Sequence, residues 1–236
     1  MMGETVAIIP ARGGSVGIPR KNLQRVGDDT LVARAVRSAR AAAGIHRVIV
    51  STDDAEIALE SRRAGAFIID RPASLATSTA SSESALLHAL GALDRPVDVV
   101  VMLQATSPFI DPGDLDAAIG RVRLGEADAV FAVDRGLTPF DLDRWEGVNH
   151  DAAVRLRRQD LPLQVAETGA FYVMRAEGFR AAEHRFFGRV EPQLVDERFA
   201  VDIDTEVELE IARALAAHHD TEFRTPARRP AEENQP

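Results

Sequence analysis

Lys21 is the single lysine among 28 lysine and arginine side chains. It stands near the end of a segment reading Pro10-Ala-Arg-Gly-Gly-Ser-Val-Gly-Ile-Pro-Arg-Lys-Asn22. A lone ammonium in an arginine-rich chain is a compact point charge of the kind phosphate sites use. Two adjacent glycines behind a strand let backbone N–H groups approach phosphate oxygens with no Cβ in the way, and Arg12, Arg20 and Lys21 supply charge for a polyphosphate. The loop fits neither the dinucleotide fingerprint nor the P-loop, and a Gly-Gly turn also serves purely structural ends. Far along the chain, Asp202-Ile-Asp204-Thr205 offers two carboxylates. On a strand they share one face about 6.5–7 Å apart, a spacing suited to two oxygen ligands of a hard cation such as Mg²⁺. The other reading of this segment is a strand end with Asp204 or Thr205 capping the next helix.

Two further segments are polar where chemistry could occur. Leu103-Gln-Ala-Thr-Ser-Pro108 follows the most apolar strand candidate, and ligands of open parallel sheets bind outside the carboxyl ends of strands. Arg71-Pro-Ala-Ser-Leu-Ala-Thr-Ser-Thr-Ala-Ser-Ser82 is dense in hydroxyls, with Ser81 or Ser82 placed to cap a helix. His88, His218 and His219 have no partner at metal-ligand spacing, and no G-x-S-x-G elbow or Ser/His/Asp set is present.

Strand–helix alternation must position these groups. Strands are predicted at Val6–Ile9, Arg47–Ser51, Phe67–Ile69, Val97–Leu103, Ala129–Val133, Gly169–Met174 and Phe199–Ile203. Helical periodicity covers Leu31–Ala43, Asp54–Ala64, Ser82–Leu93, Leu115–Val122 and Glu206–Ala217. The pattern predicts an α/β fold, a mostly parallel sheet with helices on both faces. Residues 137–162 break the pattern and are expected to project from the core, and the tail from about 225 to be disordered. At 236 residues and a formal charge of −9, one domain over 1–224 is expected, with no nucleic-acid or anionic-membrane partner. The absence of cysteine excludes disulfides, thiolate metal sites and cysteine nucleophiles. No apolar run reaches the roughly 18–20 residues that span a bilayer. A strand begins almost at once without a leader, so a cytoplasmic protein is expected.

In this order the segments resemble the acylneuraminate cytidylyltransferase (CMP-sugar synthetase) family. Ile9–Asn22 matches the opening motif of that family except at Val16. Val50-Ser-Thr-Asp53, Arg71-Pro-Ala, Thr79-Ala-Ser-Ser82, Gln104-Ala-Thr-Ser-Pro108, Arg158-Gln-Asp-Leu-Pro162, Glu167-Thr-Gly-Ala-Phe-Tyr172 and Val201-Asp-Ile-Asp-Thr-Glu206 match its later marks, over roughly residues 5–217.

The resemblance implies a Rossmann-like nucleotidyltransferase, a homodimer clasped by a projecting arm at about 137–165. It implies CTP held by Arg12, Ser15, Lys21 and Asn22, with Ala11 and Gly14 in the same set. Arg71, Ala80 and Ser82, with Asn22, would read cytosine. Gln104, Thr106, Thr168 and Tyr172 match the acceptor side, and Asp202 and Asp204 the Mg²⁺ carboxylates. Arg12, Lys21 and Asp204 are the expected catalytic residues. The implied reaction joins CMP to an acidic nine-carbon keto-sugar and releases pyrophosphate. The alternatives are an eight-carbon Kdo-type acid or a small phosphonate or carboxylate as acceptor, or a nucleotide-binding protein without turnover. Val16 removes a lysine that the family commonly places beside the triphosphate. Glu167-Thr-Gly replaces an Asn-Gly form, and Ala166 supplies no cation for an acceptor carboxylate.

Overall fold

The computed structural model describes residues 3–15, 17–135 and 164–223, with isolated positions between 148 and 160. Its frame is a seven-stranded sheet. In chain order the strands and helices are β1 (Glu4–Pro10), β2 (Arg25–Val26), β3 (Asp29–Thr30), α1 (Leu31–Ala41), β4 (Arg47–Thr52), α2 (Ala55–Ala64), β5 (Phe67–Asp70), α3 (Ser82–Gly91) and β6 (Val97–Leu103). They continue with α4 (Pro112–Arg123), β7 (Ala129–Arg135), β8 (Val165–Arg175), α5 (Ala176–Ala182), β9 (Val190–Leu194) and α6 (Glu206–Phe223). The sheet order is β5-β4-β1-β6-β8-β7-β9, and only β8 runs against its neighbours β6 and β7. The expected mostly parallel, Rossmann-like α/β fold is present.

The period-2 geometry of strands explains how one sheet carries two apolar layers. Ala7 and Ile9 of β1, with Val99, Val101 and Leu103 of β6, join Val32 of α1, Ile57 of α2 and Leu115 of α4 on one face. The intervening Val6, Ile8, Val100 and Met102 meet Leu86 of α3 and Phe179 of α5 on the other. A third cluster sets Leu209 and Ala212 of α6 against Ile18, Val26, Leu31 and Phe109. It pins the loop after β1 beneath the last helix.

Several elements depart from the sequence reading, among them the short α5, whose seven residues are too few to show a helical period. No strand forms at Phe199–Ile203: Glu197–Phe199 is a single 3-10 turn with Asp196 as N-cap, and Asp202 lies outside any ladder. The alternation of Phe199 and Ile203 reflects burial in the α6 cluster rather than sheet pairing. β9 was not anticipated because Pro192 interrupts it; it is an edge strand, where a missing N–H is tolerated. The β2–β3 hairpin, turning through Gly27 at φ 63°, is too short for a periodicity signal. The proposed arm lies mostly, and the tail from 225 wholly, outside the described residues. The chain leaves the sheet beside the place where it returns, with Arg135 paired to Val165.

Candidate active site

The loops after β1, β5 and β6 and the start of α6 enclose a cavity of about 340 Å³. Nine residues singled out from sequence line it: Arg12, Ser15, Lys21, Asn22, Arg71, Ala80, Ser82, Thr106 and Asp204. It opens at the carboxyl ends of parallel strands, where such sheets bind ligands.

Ala11 extends β1, its N–H donating to the Ser51 carbonyl (3.0 Å), and is wholly buried. Gly13 donates to Asp53 Oδ1 (3.0 Å). A Cβ on Gly13 would lie 2.8 Å from Asp54 Oδ2, and one on Gly17 2.6 Å from the Asp204 carbonyl oxygen, whereas Gly14 meets nothing. Close packing against Asp54 and Asp204 therefore requires glycine at 13 and 17, and Gly14 alone faces open space. The Asn22 amide donates to the Arg12 carbonyl (2.9 Å), and the Arg12 guanidinium reaches the Thr77 carbonyl across the cavity. Arg20 does not join them. It turns outward in the left-handed region (φ 53°) and pairs with Glu56 of α2. Val16 lies outside the described residues.

Arg71 is buried, donating to the Ser51 hydroxyl (3.2 Å) and the Ser51 carbonyl. Burial pushes its pKa below the usual arginine value, opposed by the charge of Asp53 and reinforced by that of Arg12. Ser81 caps α3, accepting from the Ser84 N–H (3.1 Å). Ser81 and Ser82 both stand on the cavity wall.

On the far side, Lys21 Nζ donates to the Ile203 carbonyl (2.9 Å) and to Asp204 Oδ1 (2.8 Å). The segment is fixed by the Ile203 N–H donating to the Thr106 carbonyl (2.9 Å) and by a capping box at the start of α6. Glu208 accepts from the Asp204 and Thr205 N–H groups, and the Thr205 hydroxyl accepts from the Glu208 N–H. Thr205 and Glu208 do the capping. The Asp204 side chain stays largely exposed, at 72%.

Asp202 is more enclosed. Burial raises its pKa, the neighbouring Thr106 side chain opposes that, and the Asp204 charge adds to it. Its Oδ1 is buried with no hydrogen-bond partner, an expensive condition for a carboxylate oxygen. No three His, Asp or Glu side chains among the described residues could hold a metal ion by themselves. Two carboxylates of which one has an unmatched oxygen, beside a cationic cavity, fit Mg²⁺, which takes its other ligands from water and substrate phosphates.

Thr106 joins the cavity to the remaining predicted residues. Its hydroxyl donates to Gln104 Oε1 (3.3 Å), and a Cβ on Gly169 (φ 76°) would sit 3.7 Å from the Gln104 amide and 3.8 Å from Asp202 Oδ2. Thr168 instead donates to the Ala132 carbonyl (3.3 Å). Tyr172 packs into the α3–α5 layer with its hydroxyl donating to Glu167, and burial pushes its pKa far up, with Glu167 adding to the rise. Neither Thr168 nor Tyr172 lines the cavity.

The sequence reading assigned no role to Asp53, Thr77 or Glu208, and named no cation near Tyr172. Glu208 was legible as T-x-x-E ahead of an apolar helix. Arg185, whose guanidinium lies 4.5 Å from the Tyr172 ring centre, is contributed from a loop with no periodic signal.

A family model described as Cytidylyltransferase matches residues 6–219. The chain is 30% identical over 221 residues to N-acylneuraminate cytidylyltransferase A of Danio rerio, covering 87% of this chain and 49% of that protein. It is 27% identical over 232 residues to pseudaminic acid cytidylyltransferase of Campylobacter jejuni subsp. jejuni serotype O:23/36 (strain 81-176), covering 93% of this chain and 100% of that one. The chain spans about half the length of the first curated relatives it matches. A solved structure of CMP:2-keto-3-deoxy-manno-octonic acid synthetase complexed with CTP superposes with a TM-score of 0.69 at 18% identity, over 92% of this chain and 99% of that one. The sheet order, the cavity at its strand ends and a family match running from β1 into α6 agree, and the chain belongs to the cytidylyltransferase family.

Proposed function

We propose that this chain transfers CMP from CTP to an acidic nine-carbon keto-sugar of the sialic acid type, with release of pyrophosphate. The observation that carries the proposal is a single cavity gathering Arg12, Lys21 and Arg71 with the polar Ser15, Asn22 and Ser82 beside Asp204. Such a mixture suits a triphosphate at the cationic end and a base edge at the hydroxyl end. In this reading the acceptor hydroxyl oxygen attacks the α-phosphorus while the bond to the bridging oxygen of the β-phosphate breaks. The chain aligns the two reactants, and Lys21 and Arg12 neutralise charge gathering on the departing pyrophosphate. Asp204 takes the acceptor proton and passes it to water. Arg71, Asn22, Ala80 and Ser82 hold cytosine, with Ala11 and Gly14 beneath the nucleotide. Gln104, Thr106, Thr168 and Tyr172 shape the acceptor side.

Asp202 and Asp204 would hold Mg²⁺, whose chemistry there is to polarise the α-phosphate and lower the pKa of the acceptor hydroxyl. The working form is a cytoplasmic homodimer, with residues 1–224 as one catalytic unit. No described helix is long and apolar enough to cross a membrane. A second reading, transfer to an eight-carbon acid, draws on the name of the solved neighbour with CTP. Asp204→Ala tests the assignment. We expect an intact fold by circular dichroism and a loss of pyrophosphate release on the order of 100-fold or more. Near wild-type turnover at saturating Mg²⁺ would remove Asp204 from the chemistry.

A further inference from the structure

α3 begins where the cavity wall ends. Ser81 and Ser82 line the cavity, and the next residue, Glu83, points away from it to meet Arg185 at 2.7 Å. The two side chains are only 13% and 18% exposed and lie 102 residues apart in the chain. Burial would raise the Glu83 pKa, yet the hydrogen bond and charge of Arg185 hold it below its usual value. Arg185 stacks on the Tyr172 ring at 4.5 Å, and the Tyr172 hydroxyl donates to Glu167.

The loop that delivers Arg185 is pinned throughout. The left-handed Glu183 ends α5, and the Phe186 N–H donates to His184 Nδ1 (3.1 Å). The Phe186 ring meets Phe131 and Tyr172 edge-on at 5.1 and 6.0 Å, and Arg189 N–H donates to Asp128 Oδ2 (2.9 Å). A shift of α3 therefore has a stiff polar route into the Tyr172 layer, through a largely buried ion pair.

From these contacts we infer that Glu83 and Arg185 are positioning residues, coupling nucleotide occupancy of the cavity to the placement of Tyr172. The inference rests on the proposed CTP site, and it makes the acceptor side form fully once the nucleotide is seated. Physically, ligand contacts at Ser82 bias the first turn of α3, and the largely buried pair carries that bias because separating the two charges leaves each poorly solvated. A pair that merely staples α3 to the sheet would stabilise the fold without transmitting anything.

Tyr172 is the only tyrosine in the chain, so fluorotyrosine incorporated in its place gives a single fluorine resonance. That resonance is followed while CTP with Mg²⁺ is titrated, and CTP affinity is read separately by calorimetry. The measurements cover the wild type, Glu83→Gln, Arg185→Gln and the double variant. We expect a CTP-dependent shift in the wild type. Either single substitution should lose most of it, and the double should lose no more than a single, with CTP affinity changed by less than about fivefold. Glu83→Asp keeps the charge at greater reach and should give a reduced shift if Glu83→Gln melts too early to measure. A wild-type resonance indifferent to bound CTP overturns the coupling alone, as do single variants that respond like the wild type. Failure of the wild type to bind CTP at all overturns the coupling together with the function on which it rests.

Discussion

At the scale of single residues, the most telling fact is what Lys21 touches. Its ammonium spans the Ile203 carbonyl and the Asp204 carboxylate at 2.9 and 2.8 Å, so it bridges the loop after β1 and the segment before α6 from within the cavity wall. A guanidinium is wider, planar and fixed in its donor directions. The glycine at 17 packs against the Asp204 carbonyl, which leaves little room for the backbone to adjust. Lys21→Arg is therefore expected to fold and keep its charge yet lose about 100-fold in turnover, measured as pyrophosphate release at saturating CTP; unchanged turnover would make the lone lysine an accident of composition. Lys21 and Arg12 were legible in the sequence because a strand, a glycine turn and a cationic run are local signals, whereas Asn22 and Arg71 were marked only by the family resemblance. The pairing of Arg20 with Glu56 was not legible, since it depends on where α2 lies in space. Nor was the packing of Gly13 against Asp54, which leaves no room for a Cβ.

At the scale of elements, the start of α6 decides what Asp204 is available to do. Two roles compete for that stretch, capping and ligation, and the capping box assigns the first to Thr205 and Glu208. Glu208, held below its usual pKa by the Asp204 and Thr205 N–H groups, binds the backbone of Asp204 and so fixes where its carboxylate starts. Glu208→Ala should cost about 1 kcal/mol of stability and in addition raise the Mg²⁺ concentration needed for half-maximal turnover. A melting shift with no change in Mg²⁺ demand would confine Glu208 to the fold. The strands that carry the site were readable because β1 and β6, buried on both faces, are nearly continuous apolar runs. Residues 199–203 misled for a different reason. An extended segment buried on one side against α6 shows the same apolar alternation as a strand, and only a ladder partner separates the two.

At the scale of the whole molecule, an acidic chain of formal charge −9 concentrates Arg12, Lys21 and Arg71 in one cavity, which favours a compact anion over an extended polyanion. The layered sheet, its order broken by one antiparallel strand, sets that cavity at the ends of β1, β5 and β6. β8 runs on past it, with Gly169 against Asp202 and Gln104 and Tyr172 in the α3–α5 layer. The general architecture followed from strand–helix alternation. The direction of β8 did not, because hydrophobic patterning carries no information on strand polarity, and residues 166–172 read the same either way. The most direct test of the account is pyrophosphate release from CTP and Mg²⁺ across sialic, legionaminic, pseudaminic and Kdo-type acids with small phosphonates, alongside UTP and GTP as alternative donors. The account predicts release that requires CTP, Mg²⁺ and a nine-carbon acid together. Tight CTP binding with no release from any acceptor, or faster release from UTP or GTP, would contradict it.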